Sequence, residues 1–152
     1  MGIEKEIKQE KFVNAKQKAM INLLYTYGWV IERIKNFLAA EDITHQQFNI
    51  LRILRGSHGQ PLSTLQIRDR MLDKMSDTSR IVDRLVAKGL VKKTTCEKDK
   101  RLVDVVITDK GQKLLKRIDE QQDHIGTIMG HLSEKDAEML SSLLDKLRNT
   151  ED

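Results

Sequence analysis

Chain breakers and covalent cross-links are scarce in this chain of 152 residues. It has one proline, Pro61, and one cysteine, Cys96, and no Gly/Ser-rich linker or internal repeat interrupts it. A single cysteine excludes a disulfide within the chain and is typical of a reducing, cytoplasmic compartment. No apolar run approaches the roughly 20 residues that a membrane-spanning helix needs, and residues 1–11 lack the apolar core of a signal peptide. The sequence therefore predicts a single cytoplasmic unit that spans residues 1–152, with no membrane partner.

The signatures of enzymes and of metal sites are missing as well. No nucleophile elbow, phosphate-binding loop or dinucleotide-binding motif occurs in the sequence. The four histidines form neither an HExxH motif nor an i, i+4 pair, although His124 and His131 lie seven residues apart, a spacing that fits one helix face. We therefore predict that the chain is not an enzyme and that it has no catalytic residues, no cofactor and no metal ligands.

Positive charge is concentrated in one part of the chain. Residues 61–101 contain eleven Lys and Arg against six Asp and Glu, whereas the other residues contain sixteen against seventeen. The formal net charge of +4 therefore comes from this one segment. A basic segment on a near-neutral remainder is typical of a protein that neutralises phosphates, and it favours a nucleic-acid partner.

The middle of the basic segment predicts an amphipathic helix over residues 76–88. Ser76 is expected as its N-cap and Gly89 as its stop. Stepping 100° per residue places apolar side chains on one face and polar or charged side chains on the other. On the polar face Arg80, Arg84 and Lys88 are spaced four residues apart and form one basic stripe. This stripe is either an ordinary solvated surface or a face that reads DNA.

A predicted two-stranded hairpin follows this helix directly. Residues 90–96 and 102–108 read as strands, and the second alternates with period two. The connecting tip, residues 97–101, is too polar to be buried, so it is either a solvated loop or a wing whose arginine enters the narrow minor groove of A·T-rich DNA. Asp99 precedes Arg101 by two residues, a spacing at which a charge-assisted pair would hold the guanidinium in one rotamer. Two helices and a charged hairpin in this order are typical of a winged helix-turn-helix.

The ordered set of motifs resembles the MarR family of bacterial transcription regulators. The residues that carry the resemblance are Thr44-x-x-Gln47-Phe48-x-x-Leu51, Ser79-Arg80-Ile81-Val82-Asp83-Arg84-Leu85, Lys88-Gly89-Leu90-Val91, Asp99-Lys100-Arg101 and Val105-x-Ile107-Thr108-x-x-Gly111. The resemblance runs over nearly the whole chain. The family usually has arginine where Lys100 stands, whereas the flanking Asp99 and Arg101 follow its pattern.

The resemblance implies a homodimer that binds double-stranded DNA at a pseudo-palindrome through a recognition helix, residues 76–88, and a wing. The implied DNA contacts on the helix are Ser76, Asp77, Thr78, Ser79, Arg80, Asp83, Arg84 and Lys88, and those on the wing are Lys98, Asp99, Lys100 and Arg101. It also implies a crevice for a small aromatic or phenolic effector, where the dimer helices meet the DNA-binding lobe. Tyr25, Trp29 and Phe48 are the aromatic candidates for this crevice, and ordinary core packing is the alternative for each.

The predicted fold is mostly α, with elements in the order α-α-α-α-β-β-α-α, a small antiparallel wing and a helical dimerisation region. One helix is expected from about residue 5 to about residue 40, which is far longer than the usual three or four turns and too long for a small domain to cover alone. Further helices are expected over 44–56, 63–71 and 109–129, and Ser133 is expected to cap the last helix. A short third strand is expected near Leu62. Residues 44–108 would form the DNA-binding lobe, and residues 1–40 and 109–152 the dimerisation region.

The sequence thus predicts a sequence-specific DNA-binding transcription regulator, expected to be a repressor that a small ligand releases from its operator. One alternative is a winged-helix module that contacts proteins without specific DNA binding, although such a module would more often present an aromatic or apolar patch than a basic stripe. The other is a redox-responsive regulator that uses Cys96, whose neighbours in sequence include several lysines that would lower the pKa of a thiol.

Overall fold

The computed structural model describes residues 1–95, 97–99, 101, 103–121 and 123–149. Its elements follow in the order α1 (Ile3–Glu6), α2 (Ala15–Leu38), a 3-10 turn (Ala39–Glu41), α3 (His45–Gly56), β1 (Leu62–Ser63), α4 (Thr64–Arg70), α5 (Thr78–Ala87), β2 (Val91–Thr95), β3 (Val103–Ile107), α6 (Asp109–Gln121), α7 (His124–Met129) and α8 (Glu134–Arg148). The fold is mostly helical with one small sheet, as the sequence predicted.

The sheet has the strand order β1-β3-β2 and is antiparallel throughout. Leu62 pairs with Val105, and Val91 pairs with Ile107. The predicted third strand near Leu62 is confirmed, and the two long strands are each found inside their predicted ranges. Cys96 and Leu102, which the prediction included in those strands, lie outside the described residues.

One apolar core joins the helices to this sheet. Its fully buried members come from α3, α4, α5, β3 and α6, together with Leu38 at the end of α2. Leu115 and Ile118 of α6 belong to this cluster. Leu38 of α2 and Leu115 and Ile118 of α6 therefore pack against the residues of the predicted DNA-binding lobe, 44–108.

Side-chain caps set the starts of the helices α3, α4 and α8. Thr44 and Gln47, Ser63 and Gln66, and Ser133 and Asp136 each form a capping box, in which each residue of the pair accepts a hydrogen bond from the backbone of the other. Such a box satisfies two amide groups that would otherwise lack partners at a helix start. The predicted starts of these three helices are confirmed.

The N-terminal region does not form the single helix predicted over residues 5–40. Helix α1 ends at Glu6, the chain turns at Lys8 with a φ of +56°, and α2 begins only after Asn14. The Asn14 side chain caps α2 by accepting a hydrogen bond from the backbone nitrogen of Gln17 at 2.9 Å. The prediction was wrong here because apolar residues 12 and 13 continue the helical spacing across the break, although Val13 is exposed.

The segment after the sheet is also divided where one helix was predicted over 109–129. Helix α6 ends at Gln121, and Asp123 then caps α7 by accepting a hydrogen bond from the backbone nitrogen of Gly126 at 2.8 Å. None of the helices in the described ranges combines the length and the apolar composition that spanning a bilayer requires.

Candidate nucleic-acid interface

Helix α5 is the second helix of the helix-turn-helix, and it begins later than predicted. Its N-cap is Asp77 and not Ser76, because Asp77 Oδ1 accepts a hydrogen bond from the backbone nitrogen of Arg80 at 3.3 Å. The Ser76 hydroxyl is instead buried, with no hydrogen-bond partner in the described part of the chain. At the other end Gly89 adopts a φ of +72°. This left-handed conformation ends the helix at little cost for glycine, as the sequence predicted.

The two faces of α5 differ as the helical wheel predicts. Val82 and Leu85 are fully buried in the core. The exposed face carries Ser79, Arg80, Asp83 and Arg84. Thr78 departs from the expectation that it contacts DNA, since only 4% of it is exposed and its side chain belongs to the inner face of the first turn.

Lys88 does not belong to the predicted basic stripe. Its Nζ donates to the backbone carbonyl of Asp42 and, at 3.3 Å, to Oε1 of buried Gln47. A step of about 100° per residue turns Lys88 about 80° away from Arg80 around the helix. That rotation brings its amine to the turn before α3, so the expectation of a shared stripe was wrong for this residue.

An ion pair links the exposed face of α5 to the wing. Lys93 Nζ on β2 lies 2.7 Å from Asp83 Oδ1. The pair neutralises the only carboxylate among the four exposed side chains named above and ties α5 to the sheet. Sequence reasoning missed it because the two residues lie on different elements and no motif joins them.

The tip of the wing contains the ion pair that the sequence predicted. The Arg101 guanidinium donates to both carboxylate oxygens of Asp99, at 3.1 and 3.2 Å, and the Arg101 backbone nitrogen donates to Asp99 Oδ1 at 3.0 Å. These hydrogen bonds lower the pKa of Asp99, so the carboxylate stays charged. The Arg101 side chain is nevertheless 90% exposed. The pair therefore fixes the rotamer and leaves the guanidinium accessible to a partner.

The threonine and glycine after β3 join the wing to the end of α5. The Thr108 hydroxyl donates to the carbonyl of Gly89 at 2.7 Å, and the Gly111 backbone nitrogen donates to that hydroxyl at 3.2 Å. A Cβ added at Gly111 would lie 2.4 Å from the Leu90 carbonyl oxygen. The Thr108-x-x-Gly111 spacing thus joins the end of β3 to the chain that follows α5.

Known proteins share both this sequence and this fold. The MarR family model matches residues 43–103. A crystal structure of a MarR transcription factor from Planctomyces limnophilus is 32% identical, has a TM-score of 0.67 and covers 89% of this chain and 98% of that one. The chain belongs to the MarR family.

Two further relatives of this MarR-family protein are informative. The HTH-type transcriptional regulator MhqR of Bacillus subtilis is 27% identical over 131 residues, which are 86% of this chain and 89% of that protein. A mutant Escherichia coli MarR complexed with operator DNA has the same fold, with a TM-score of 0.76 at 22% identity over 98% of this chain and 100% of that one. This MarR-family chain is a transcription regulator that binds DNA, and it is not an enzyme.

The three aromatic candidates for an effector crevice lie in different environments. Tyr25 is partly exposed on α2, and its hydroxyl donates to Glu6 Oε2 at 2.9 Å, which raises the pKa of the tyrosine. Trp29, one turn further, is covered by the Arg33 guanidinium at 3.5 Å from the ring centroid. Phe48 is buried in the core of the lobe, where it packs with the other apolar residues.

Lys100 of the wing and Cys96, the candidate redox residue, lie outside the described residues. The described residues contain no group of three or more potential metal ligands. His124 of this MarR-family chain is used in packing, since its ring stacks on Phe37 with centroids 4.5 Å apart and meets the edge of Phe48 at 6.2 Å.

Proposed function

We propose that this MarR-family chain is a homodimeric repressor that binds a pseudo-palindromic operator and is released from it by a small aromatic or phenolic ligand. Helix α5 would enter the major groove, and the wing would enter the adjacent minor groove. The observation that carries this proposal is the exposed face of α5, with two unpaired arginines among the described residues, beside a wing arginine held in one rotamer.

The proposed contacts divide between the two elements. On α5 the side chains accessible to DNA are Ser79, Arg80 and Arg84. Asp77 would act by capping the helix, and Asp83 by pairing with Lys93. Arginine is the residue whose fork matches a guanine edge or a phosphate in two hydrogen bonds. On the wing Lys98 is exposed and adds charge toward the phosphates, together with the Asp99–Arg101 pair.

The proposal of a homodimer rests on apolar residues that the single chain leaves uncovered. Helix α8 contains no buried residue, and its exposed large apolar side chains are Met139, Leu140, Leu143 and Leu147. Helix α2 exposes Met20, Leu23, Leu24 and Tyr27. An apolar surface of this extent is unusual for a monomer. A two-fold partner would cover both helices and separate the two recognition helices by about one turn of DNA.

The proposed effector is supported by solved neighbours of the same fold. An organohalide-sensing transcriptional regulator was solved in its 2,4-dichlorophenol-bound form, and the regulation of DNA binding of Bordetella bronchiseptica BpsR involves 6-hydroxynicotinic acid. In this chain Tyr25 and Trp29 lie on α2, a helix that reaches from the uncovered apolar surface to the DNA-binding lobe. A ligand at these residues would have to displace the Glu6 or Arg33 contact, which offers a physical route to a change in α2.

The experiment that tests this proposal begins by selecting bound fragments from genomic DNA to obtain an operator. Arg80→Ala and Arg84→Ala should each weaken binding to that operator by about 1–3 kcal/mol and relax its sequence preference. Arg52→Ala is the matched control, because Arg52 is also exposed but lies on α3 with its guanidinium over the Phe48 ring. Folded Arg80 and Arg84 variants with unchanged affinity and preference would contradict the assignment of α5 as the reading helix.

Release by a ligand is tested on the same complex. Adding 2,4-dichlorophenol or 6-hydroxynicotinic acid as probes, followed by a wider set of small aromatic acids and phenols, should lower the affinity for the operator in a saturable way. Tyr25→Phe and Trp29→Leu should reduce that response and leave the affinity without ligand unchanged. If no compound changes the affinity, or if both variants respond like the original chain, the effector part of the proposal is wrong.

A further inference from the structure

A groove separates the start of α4 from the start of α5. It is lined by Thr64, Leu65 and Arg68 on α4 and by residues 76–79 around the first turn of α5. Two large apolar side chains are exposed in this region, one in the wall of the groove and one beside its lining residues in the sequence. Leu65, in the wall of the groove, is 63% exposed. Met75, which directly precedes the lining residues 76–79 in the sequence, is 92% exposed.

Neither side chain is needed by the core of the lobe. Ile67 on α4 and Met71 after it are buried and supply the apolar contacts of this region. Leu65 lies two residues before Ile67, which places it on a different face of the helix. Because burying a leucine or a methionine is favourable, their exposure leaves an apolar surface available for a partner.

The surroundings of these two residues favour DNA as that partner. They border the first turn of the recognition helix, the part of such a helix that contacts base edges. Arg68 lines the same groove and Arg80 follows on the exposed face of α5, within the segment that carries the chain's positive charge. In the major groove of DNA the one apolar group that a base edge offers is the C5-methyl group of thymine.

We infer that Leu65 and Met75 contact thymine methyl groups in the major groove and so select thymine at two positions of each operator half-site. This inference rests on the proposed function and deepens it, because it assigns a base preference to side chains that carry no charge. Arg80 and Arg84 would supply the hydrogen bonds, while Leu65 and Met75 would discriminate thymine from cytosine, which lacks the methyl group.

The test replaces each thymine of the selected operator, one at a time, with deoxyuridine, which removes only the methyl group. Affinity is measured by fluorescence anisotropy. Binding by the original chain should weaken about fourfold at each contacted thymine, equivalent to about 0.8 kcal/mol for one buried methyl-sized group. Deoxyuridine at the other thymines should leave the affinity unchanged.

Variants at the two positions assign the effect to the side chains. Met75→Gln and Leu65→Asn keep the approximate size of the side chain, but each should lose the sensitivity to deoxyuridine at one position of the operator. A double-mutant cycle, which combines the protein substitution with the deoxyuridine substitution, detects this loss as coupling. Met75→Leu and Leu65→Met are the matched controls and should keep that sensitivity. Thermal unfolding by circular dichroism should confirm that all four variants, which alter exposed residues, remain folded.

Three results would overturn the inference, and they are distinguishable from failure of the proposed function. One is tight, specific binding that no deoxyuridine substitution weakens. Another is an equal loss for the polar variants on thymine and deoxyuridine duplexes, which would mean that there is no coupling. The third is that the polar variants keep the DNA affinity and the sensitivity to deoxyuridine of the original chain, which would leave a protein contact as the role of the exposed pair. Absence of specific DNA binding by the original chain would contradict the proposed function itself.

Discussion

At the scale of single residues, the guanidinium of Arg101 at the tip of the wing is both paired with Asp99 and exposed to solvent. Asp99 accepts three hydrogen bonds from Arg101, two from the guanidinium and one from the backbone. An arginine side chain loses much conformational entropy when it is ordered. Because Asp99 has already ordered this one, binding in a narrow minor groove costs less than it would for a free side chain.

Arg101→Ala should weaken DNA binding most on operators with A·T-rich flanks, where the narrow minor groove concentrates negative potential. The dependence of log K on log salt should fall by about one unit, because one fewer counterion is released. Asp99→Asn should cost less and leave that slope unchanged, since it loosens the arginine without removing its charge. Both variants are measured on A·T-rich and G·C-rich flanks over a salt series. Equal losses on both flanks with an unchanged slope for Arg101→Ala would mean that the wing remains in solvent.

The Asp99–Arg101 pair could be predicted from the sequence, because two residues separated by one position in a tight tip have few other partners. The roles of Lys88 and Phe48 could not. Each depends on a segment far away in the chain, the turn at Asp42 in one case and His124 in the other. Helical spacing reports which side of a helix a residue is on, but it does not report what covers that side.

At the scale of elements, a set of hydrogen bonds anchors the C-terminal end of α5. Lys88 bonds the turn before α3 through its amine, while its own carbonyl accepts a hydrogen bond from Lys110 Nζ on α6 at 2.8 Å. Thr108 adds a hydrogen bond to the next carbonyl, that of Gly89. These contacts hold the C-terminal end of α5 to the turn before α3, to α6 and to the residue after β3.

Lys88→Met should lower the free energy of unfolding by about 1.5–3 kcal/mol, the usual contribution of hydrogen bonds to a charged group. DNA affinity should fall as well, but the salt dependence of binding should not change, because the amine contacts protein. Lys88→Arg should restore part of both losses. Chemical denaturation and anisotropy over a salt series measure the two effects. A salt slope reduced by about one unit, with stability unchanged, would show instead that Lys88 contacts a phosphate.

The turn before α3 is also tied to α6 through an ion pair. Arg117 donates to both carboxylate oxygens of Glu41, at 3.0 and 3.4 Å. The hydrogen bond from Arg117 is the largest cause of the lowered pKa of Glu41. Because the pKa is lower in the folded chain, the stabilisation is present above the unfolded pKa of about 4.3. It is lost as the pH falls through the lower folded value.

Glu41→Gln should therefore lower the free energy of unfolding by about 0.5–1 kcal/mol at neutral pH. The difference from the original chain should shrink as the pH falls below about 4. Glu120→Gln changes an exposed glutamate on the same helix as Arg117 and is the matched control, with little expected effect at either pH. Urea denaturation of the three proteins at several pH values measures this. A Glu41→Gln penalty that persists unchanged in acid would contradict an ionic origin.

The boundaries of the elements were predictable where a cap has a clear signature. A Ser or Thr followed by Gln or Asp three residues later marked α3, α4 and α8 correctly. The break between α1 and α2 was missed because apolar spacing continues through it, and its actual signals are the single side chain of Asn14 and the turn at Lys8. The shift of the α5 cap from Ser76 to Asp77 had a different cause, since both residue types cap helices equally well and the sequence offers them side by side.

At the scale of the whole molecule, the proposed homodimer would cover the exposed apolar faces of α2 and α8, and the proposed DNA contact would cover the exposed face of α5. A two-fold arrangement would accommodate both, because one set of helices would then hold two recognition helices at a fixed separation. The sequence indicated this organisation through long apolar patterns at both ends of the chain. The contacts that join the turn after α2 to the rest of the lobe are the Glu41–Arg117 ion pair and the hydrogen bond from Lys88 to Asp42. These are tertiary contacts that no local pattern encodes.

The measurement that tests this account most directly compares a full operator with one in which a single half-site is scrambled. Sedimentation velocity with a labelled duplex gives the number of chains bound, and anisotropy gives the affinity. A homodimer on a pseudo-palindrome should give two chains per full operator and lose at least about 100-fold in affinity when one half-site is scrambled, because the second recognition helix binds at a high effective concentration. One chain per duplex, with equal affinity for the full and the half operator, would contradict it.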